Sequence, residues 1–291
     1  MKSLITSLFL SIILISCSST VVQVVKIDST KDDPFYKESL LRYSKDRLSA
    51  LLNNAKYKEI SGCHLGKIDE SIELLKHKYP KYKTDVEYWL HVGNCYYLQG
   101  KYSKAQFFYN FSIPLAGKDK KLLGATYNNL AMIEIQNRNY SNALSLLKQA
   151  ISANNELITP KFNIAQLYLK FSLASSALFH LESIIKQSST NDEILSSLGT
   201  AHLLDNNPTK AIDFFKKISI DKQKRENIAI NYAISLVLVK KYFLAKEILS
   251  NVTTMGDLGL SETTTKLKDK IDKEIKAIEE NNEKRQINKK S

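Results

Sequence analysis

Residues 89–109, WLHVGNCYYLQGKYSKAQFFY, contain the pattern from which the fold can be predicted. Within it, the small residue Gly93 is followed twelve residues later by a second small residue, Ala105. The same spacing recurs in four later pairs, which are Ala131 with Ala143, Ala165 with Ala177, Gly199 with Ala211, and Ala233 with Ala245. Successive pairs are 38, 34, 34 and 34 residues apart, and a fixed period of this length predicts an array of stacked repeats.

Each repeat is predicted to consist of two antiparallel helices that meet at the two small residues. Small side chains let the two helix axes approach closely, and aromatic residues such as Tyr96, Tyr102 and Tyr109 fill the space between neighbouring repeats. One repeat cannot bury its apolar face alone, so the repeats are expected to stack into a continuous core.

The composition supports helices joined by short connections. The 291 residues include only 9 Gly and 5 Pro, far below the roughly 12% that these two residues supply on average. Gly and Pro mark turns and strand ends, so a sandwich, a barrel or a Gly-rich nucleotide-binding fold is disfavoured. Hydrophobic residues at 43% and charged residues at 25% exclude wholesale disorder.

The first clear repeat resembles the tetratricopeptide repeat (TPR) at its large and small positions, which are Trp89, Gly93, Tyr96, Gly100, Tyr102, Ala105 and Tyr109. Later repeats keep part of the same set, including Tyr127, Tyr140, Leu147, Leu198, Phe215, Tyr232, Tyr242 and Leu249. The third repeat, around Tyr168 and Leu181, matches least well, and a degenerate one with Gly66 in its turn precedes the first. The resemblance implies an all-α fold, a TPR helical-hairpin solenoid with a C-terminal capping helix, in which one degenerate and five recognisable repeats occupy residues 35–260.

Two regions depart from the regular period. The 38-residue spacing implies four extra residues, which we expect in a longer loop over residues 115–121 that begins after Pro114. Residues 261–291 are expected to form a charged helix and tail. Leu267, Ile271, Ile275 and Ile278 make one narrow apolar stripe, typical of a helix that caps the last repeat, and the chain from about Glu279 onward is expected to be frayed or disordered.

The N-terminus predicts export and a lipid anchor. The apolar run of residues 4–15 would rise about 18 Å as a helix, too short for a bilayer core of about 30 Å, so residues 1–16 are interpreted as a signal peptide. The run ends in Leu14, Ile15, Ser16 and Cys17, which resemble the lipobox of bacterial lipoproteins and imply a covalent lipid on Cys17. An ordinary secretory signal with a chance cysteine, or an uncleaved anchor, is the alternative.

Residues 17–34 would then form a lipid-anchored tether. Ser18 follows the cysteine, and the absence of Asp there implies transfer to the outer membrane, facing the periplasm, if the organism has one. Two or more lipid chains give stable membrane attachment.

No motif for catalysis, cofactor binding or metal binding is present in the sequence, so we predict a protein that is not an enzyme and has no cofactor apart from the lipid on Cys17. The five histidines lie in different repeats without metal-ligand spacing; they are His64, His77, His91, His180 and His202. The net charge of +12 could attract anionic lipid, nucleic acid or an acidic protein. Nucleic acid does not fit an exported lipoprotein, and no small-molecule substrate is expected. The lysines are interleaved with acidic residues except in short clusters such as residues 76–83.

Two cysteines remain beyond the lipobox. Cys63 and Cys95 lie near the ends of the first helices of neighbouring repeats. Neighbouring helix axes are about 8–10 Å apart, wider than the Cα separation that a disulfide tolerates. We therefore expect two separate buried thiols, although an exported compartment permits a disulfide.

The expected binding surface is the groove lined by the first helices. The family resemblance, carried over position by position, implies a peptide groove formed by Asn94, Tyr97, Asn128, Met132, Phe162, Gln166, Ser196, Thr200, Ile230 and Ile234. Asn and Gln side chains can hydrogen-bond an extended peptide, and aromatic and aliphatic side chains add apolar contact. Alternatively, some of these residues only pack against the neighbouring helix.

These features predict a lipid-anchored TPR scaffold or adaptor that binds envelope proteins of unknown identity. TPR lipoproteins of this kind resemble the pilotins that help a pilus secretin assemble in the outer membrane. The alternative is a structural subunit of an envelope complex, for outer-membrane protein insertion or as an adaptor of cell-wall hydrolases, without a peptide in the groove.

Overall fold

The computed structural model describes residues 62–63, 65–187, 189–252 and 258–290. The predicted signal peptide, the tether and Cys17 lie outside the described residues, and so does His64. Among the described residues, no helix is both long enough and apolar enough to cross a lipid bilayer.

The described residues form helices joined by short turns, which confirms the all-α helical-hairpin fold. In chain order the helices are α1 (Ile68–Tyr82), α2 (Val86–Leu98), α3 (Tyr102–Ala116), α4 (Lys120–Gln136), α5 (Tyr140–Ala153), α6 (Ile158–Lys170), α7 (Ala174–Ile185), α8 (Asp192–Leu204), α9 (Pro208–Phe215), α10 (Ile220–Gln223), α11 (Glu226–Leu238), α12 (Tyr242–Ser250) and α13 (Leu258–Lys290). The five recognisable repeats are the helix pairs α2–α3, α4–α5, α6–α7, α8–α9 and α11–α12.

The helices belong to two compact units, and the chain passes from one to the other between Leu167 and Tyr168, inside α6. The N-terminal unit contains α1–α5 and most of α6. The C-terminal unit contains the end of α6 and α7–α13. Each has its own apolar core: Tyr109, Leu130 and Ile133 are buried in the first, and Phe215, Tyr232 and Leu249 in the second.

Where the first helix of a repeat has glycine at the contact position, the second helix of that repeat packs an aromatic ring against it. A Cβ atom placed on Gly93 would lie 2.4 Å from the ring of Tyr109, and one placed on Gly199 would lie 2.8 Å from the ring of Phe215. In the three repeats with Ala at the glycine position, the residue equivalent to Tyr109 is a leucine, and these are Leu147, Leu181 and Leu249, each fully buried. The first helix therefore has glycine where the opposing side chain is a large aromatic ring and alanine where it is a leucine.

Each hairpin turn contains one residue in the left-handed region. Gly66 has φ of +90° and Gly100 has φ of +75°, a conformation in which glycine carries no steric penalty. In the later repeats the equivalent residues also have positive φ, between 57° and 61°, and they are Arg138, Ser172, Asn206 and Lys240. The turn geometry is thus constant along the array even where the sequence lacks glycine.

The four extra residues extend a helix and do not lengthen a loop. The helix α4 has 17 residues, whereas α2, its equivalent in the preceding repeat, has 13. Pro114 lies inside α3, and only residues 117–119 connect α3 with α4, so the expected loop over residues 115–121 was wrong. Four residues add about one helical turn, which lengthens the helix without rotating its apolar face away from the core.

Cys63 and Cys95 form a disulfide, so the expectation of two separate thiols was wrong. Their Cα atoms are 5.3 Å apart. The sequence argument used the distance between helix axes, but each Cα lies about 2.3 Å from its axis. Two Cα atoms that face each other across axes about 8–10 Å apart can therefore approach to about 3.4–5.4 Å, within disulfide range.

The long helix α13 covers the last repeat, as predicted. Leu267, Ile271 and Ile275 are buried in the core of the C-terminal unit, and the Lys246 ammonium lies 2.7 Å from the Asp272 carboxylate across α12 and α13. The helix begins at Leu258 and continues past Glu279 to Lys290, whereas the sequence indicated a frayed tail. The side chains of residues 281–288 are exposed.

Candidate protein-binding surfaces

Asparagine side chains from successive first helices form a buried hydrogen-bonded ladder in the N-terminal unit. The Asn94 Oδ1 atom accepts hydrogen bonds from the Tyr109 hydroxyl at 2.7 Å and from Asn129 Nδ2 at 3.1 Å. Asn128 Nδ2 donates to Asn129 Oδ1 at 3.3 Å, and Asn163 Nδ2 donates to Asn128 Oδ1 at 2.8 Å. These hydrogen bonds link α2, α4 and α6, and they pair amides that would otherwise be buried without a partner.

A shorter version of the ladder lies in the C-terminal unit. Asn231 Nδ2 on α11 donates to Thr200 Oγ1 on α8 at 3.1 Å. Asn129, Asn163 and Asn231 each lie two residues before the small residue of their first helix. This recurrence is the sequence signal that could have identified the ladder.

The groove predicted from the sequence is largely closed by this packing. Ile230 and Ile234 have no exposed surface and are corrected to core residues of α11. Five more of the predicted groove residues are buried, namely Asn94, Tyr97, Asn128, Phe162 and Thr200. The other three, Met132, Gln166 and Ser196, are partly exposed and remain candidates for contact with a peptide.

The polar atom of Tyr97 also hydrogen-bonds a neighbouring helix of the protein. Its hydroxyl accepts a hydrogen bond from Gln136 Nε2 at 3.4 Å, and burial raises the pKa of the hydroxyl above its ordinary value. The group therefore stays protonated and neutral at physiological pH and acts as a packing residue between α2 and α4.

The second helices carry an exposed aromatic notch in each unit. In the N-terminal unit, the rings of Tyr96 and Phe108 stack with centroids 5.3 Å apart, and Phe107 meets Phe108 edge-on at 5.2 Å. These rings, with Ser103 and Lys104, line a cavity of about 350 Å³. Phe107 is 63% exposed, which is unusual for a phenylalanine.

The notch of the C-terminal unit repeats this arrangement. Tyr168 stacks on His180 at 5.8 Å, and Phe179 meets His180 edge-on at 5.1 Å. With Ser175 and Ser176 these residues line a second cavity of about 350 Å³, and Phe179 is 72% exposed.

The two notches occupy equivalent positions of the repeat. Phe107 and Phe179 each lie two residues after the small residue of the second helix, Ala105 or Ala177. The other three repeats have polar side chains at this exposed position, and these are Ser145, Asp213 and Glu247. Each exposed phenylalanine is clustered with other rings in its notch, and clustered apolar side chains on a surface are less ordinary than isolated ones. The two notches are therefore candidate binding surfaces.

A third pair of stacked rings, comparable to Tyr96–Phe108 and Tyr168–His180, contains a buried histidine. His202 lies 5.3 Å from Phe214 with nearly parallel rings, and its Nδ1 atom has no hydrogen-bond partner among the described residues. Burial, and next the positive charge of Lys210, lower the pKa of His202, while Glu182 and Asp205 oppose the shift. The neutral imidazole is therefore the form that the fold accommodates.

The fold should lose stability when His202 is forced to ionise. Because the folded state lowers the pKa of His202, the unfolded chain binds the proton more readily, and the free energy of unfolding falls as the pH decreases below the ordinary histidine value of about 6.5. His202→Gln should weaken this dependence in denaturant titrations at pH 7 and at pH 5. The exposed residue His77 supplies the control, and an equal response of His77→Gln and His202→Gln would contradict the assignment.

Among the residues that the structure describes, no group of three or more His, Cys, Asp or Glu side chains is placed to hold a metal ion. The notches offer aromatic faces, hydroxyls, the Lys104 ammonium and the His180 imidazole, groups that can contact another molecule.

Comparison with known proteins agrees with the hairpin geometry. The sequence profile of the tetratricopeptide repeat matches residues 125–157, within α4 and α5. The mouse protein "Tetratricopeptide repeat protein 8" is 26% identical over 188 residues, which cover 63% of this chain and 35% of the mouse protein. The chain thus spans about a third of the length of that relative.

Two solved structures share the fold at low sequence identity. PilF of Pseudomonas aeruginosa superposes with a TM-score of 0.62 at 10% identity, over 76% of this chain and 99% of PilF. YrrB, described as a TPR protein with an unusual peptide-binding site, superposes with a TM-score of 0.54 at 15% identity, over 67% of this chain and 99% of YrrB. These likenesses show the fold alone, an array of TPR-type helical hairpins. Proteins built from tetratricopeptide repeats generally mediate protein–protein interactions.

Proposed function

We propose that the protein is a lipid-anchored adaptor that binds other proteins of the bacterial cell envelope and assists the assembly of an outer-membrane complex such as a pilus secretin. The lipobox-like sequence ending at Cys17 supports the anchor, and the hairpin array supports the adaptor role. The likeness to PilF extends only to the fold. The choice of a pilus secretin therefore rests on the resemblance of TPR lipoproteins to pilotins.

The observation that carries the adaptor role is the exposed notch of the C-terminal unit. Phe179 is 72% exposed, and the cavity beside it is lined by the rings of Tyr168, Phe179 and His180 and by two serine hydroxyls. Apolar walls with a few polar groups are typical of sites that accept part of a ligand. The notch suits one apolar side chain of a partner protein, with the serines hydrogen-bonding its backbone.

Burial of the first-helix positions favours a second candidate, a structural subunit without a peptide in the groove. The Asn94 and Asn128 side chains hydrogen-bond neighbouring helices, so they contribute to packing between repeats. The two candidates differ in whether a segment of a partner protein is captured. The adaptor binds one in the notch, whereas the structural subunit packs into a larger complex without binding a peptide.

Crosslinking in cells should separate the two surfaces. A photoreactive residue in place of Phe179 should give one discrete crosslinked product, and Tyr168→Ser in the same chain should abolish it because the wall of the notch is lost. A photoreactive residue in place of Gln166 tests the groove, and one in place of the exposed Phe243 serves as the control. A product from Gln166 but none from Phe179 would refute the notch and restore the groove.

The anchor is tested separately through Cys17. Labelling with radioactive fatty acid should be lost in Cys17→Ala and retained in the control Cys63→Ala, because the lipid requires the thiol of the lipobox. Label that persists in Cys17→Ala would refute lipidation at that residue without bearing on the notch.

A further inference from the structure

The N-terminal unit carries exposed aromatic side chains that extend beyond its notch. Tyr79 on α1 and Phe107 and Phe111 on α3 are 48%, 63% and 43% exposed. They are joined through Trp89, whose ring centroid lies 5.8 Å from Tyr79 and 4.8 Å from Phe111, and Phe107 lies 6.4 Å from Phe111. Three exposed rings therefore share one surface around a buried tryptophan.

Lysines lie along the wider aromatic cluster around Trp89, which continues through the Tyr88 ring to the Tyr82 ring. Trp89 Nε1 donates a hydrogen bond to the Lys83 carbonyl at 2.8 Å, so the chain at Lys83 runs beside the aromatic surface. The Lys81 ammonium lies 5.0 Å from the Tyr82 ring, and the Lys104 ammonium lies 5.5 Å from the Tyr96 ring. We refer to Tyr79, Phe107, Phe111, Lys81, Lys83 and Lys104 as the aromatic–lysine face.

Acidic residues are missing from the segments that form this face. Residues 74–84 and 101–118 contain no Asp or Glu. The acidic side chains at the borders have other hydrogen-bond or ion-pair partners: Glu73 pairs with Lys76, Asp85 caps α2, Glu87 lies 3.6 Å from His91 Nε2, and Asp119 caps α4. The two segments therefore combine apolar rings with lysines and contain no acidic residue of their own.

We propose that the aromatic–lysine face lies against an anionic phospholipid surface. Aromatic rings partition into the boundary between headgroups and acyl chains, and lysines reach the headgroups with their ammonium groups while their stems remain apolar. Each lysine near an anionic bilayer contributes favourable binding energy. A second copy of the same face is disfavoured as the occupant because its lysines would repel these.

This inference goes beyond the adaptor role and does not require lipidation of Cys17. An anchor would hold the protein at the bilayer in any orientation, whereas the aromatic–lysine face would select one. The C-terminal notch contains no lysine, so protein binding and lipid contact are assigned to different parts of the chain.

The single tryptophan of the chain reports on this face directly. The full-length protein is mixed with vesicles of phosphatidylglycerol and dibrominated phosphatidylcholine, and Trp89 fluorescence is compared with that in the same vesicles without bromine. Bromine quenches nearby indole, so we expect quenching that disappears in vesicles of phosphatidylcholine alone. Flotation of the same samples reports membrane association independently, which separates failure of the anchor from failure of the face.

Variants test the rings and the lysines separately. Phe107→Ser should lower the ratio of docked to undocked protein about tenfold or more, and Lys81→Gln and Lys83→Gln should each lower it about fivefold. Phe179→Ser and Phe243→Ser, exposed phenylalanines of the C-terminal unit, should leave quenching unchanged. Emission without vesicles and far-ultraviolet circular dichroism check that each variant folds.

Two results would overturn the proposal. Floating protein with unquenched Trp89 would show that another surface faces the bilayer, leaving the aromatic–lysine face to a protein partner. Quenching that persists in Phe107→Ser and in both lysine variants would show that lipid reaches Trp89 without this face.

Discussion

Loss of the Cys63–Cys95 disulfide should lower the free energy of unfolding of the N-terminal unit by about 3–4 kcal/mol. The two cysteines are 32 residues apart in sequence, and the crosslink restricts the unfolded chain over that loop. Both side chains are buried, so alanine is a better replacement than serine. Denaturant titration of Cys63→Ala/Cys95→Ala against the parent protein measures the change.

Thiol counting is the direct check on this disulfide. In a Cys17→Ala background, the denatured and unreduced chain should contain no reactive thiol, and reduction should release two. The single variant Cys63→Ala should be about as destabilised as the double variant, because either substitution removes the crosslink. Two thiols in the unreduced chain would mean that the cysteines remain separate.

The substitution Gly93→Ala should also destabilise the protein, lowering the free energy of unfolding by about 2 kcal/mol. Alanine normally stabilises a helix by about 1 kcal/mol relative to glycine. The new Cβ would lie 2.4 Å from the Tyr109 ring, which is fully buried and is held by the hydrogen bond of its hydroxyl to Asn94. Overpacking of about 3 kcal/mol therefore outweighs the gain in helix propensity.

Replacing Tyr109 with leucine should reverse the sign of the stability change caused by Gly93→Ala. In a Tyr109→Leu background, which reproduces the combination of Ala131 with Leu147, Gly93→Ala should stabilise the protein by about 1 kcal/mol. The two outcomes imply a coupling energy of about 3 kcal/mol in a double-mutant cycle. Ala131→Gly, at the same repeat position with a leucine opposite, should cost about 1 kcal/mol, and additive effects at Gly93 and Tyr109 would refute the size matching.

Some of the architecture follows from local pattern alone. The fixed period of Gly and Ala predicted the hairpins because each small residue must lie at a helix contact, whatever the rest of the chain does. The stripe of Leu267, Ile271 and Ile275 predicted a covering helix for the same reason: an apolar face with a helical period has to be buried.

Other features depend on distances between segments that are remote in sequence. The prediction that Ile230 and Ile234 line a groove was wrong. The sequence of a first helix does not show which positions the neighbouring repeats will cover. Asn94 and Asn128 were predicted to contact a peptide, but they are buried. The residue type alone does not show whether an asparagine amide hydrogen-bonds a peptide or another asparagine.

Residue size and periodicity within a short window are enough to predict the helical hairpin, its repetition and the helix that covers the last repeat. The lipid anchor at Cys17 is a further prediction from the sequence, and the labelling experiment tests it. The folded structure was needed to show that Cys63 bonds to Cys95, that four extra residues lengthen α4, and that exposed aromatic rings lie on the second helices. These outcomes depend on how side chains from different repeats approach one another in space, and no local pattern encodes that approach.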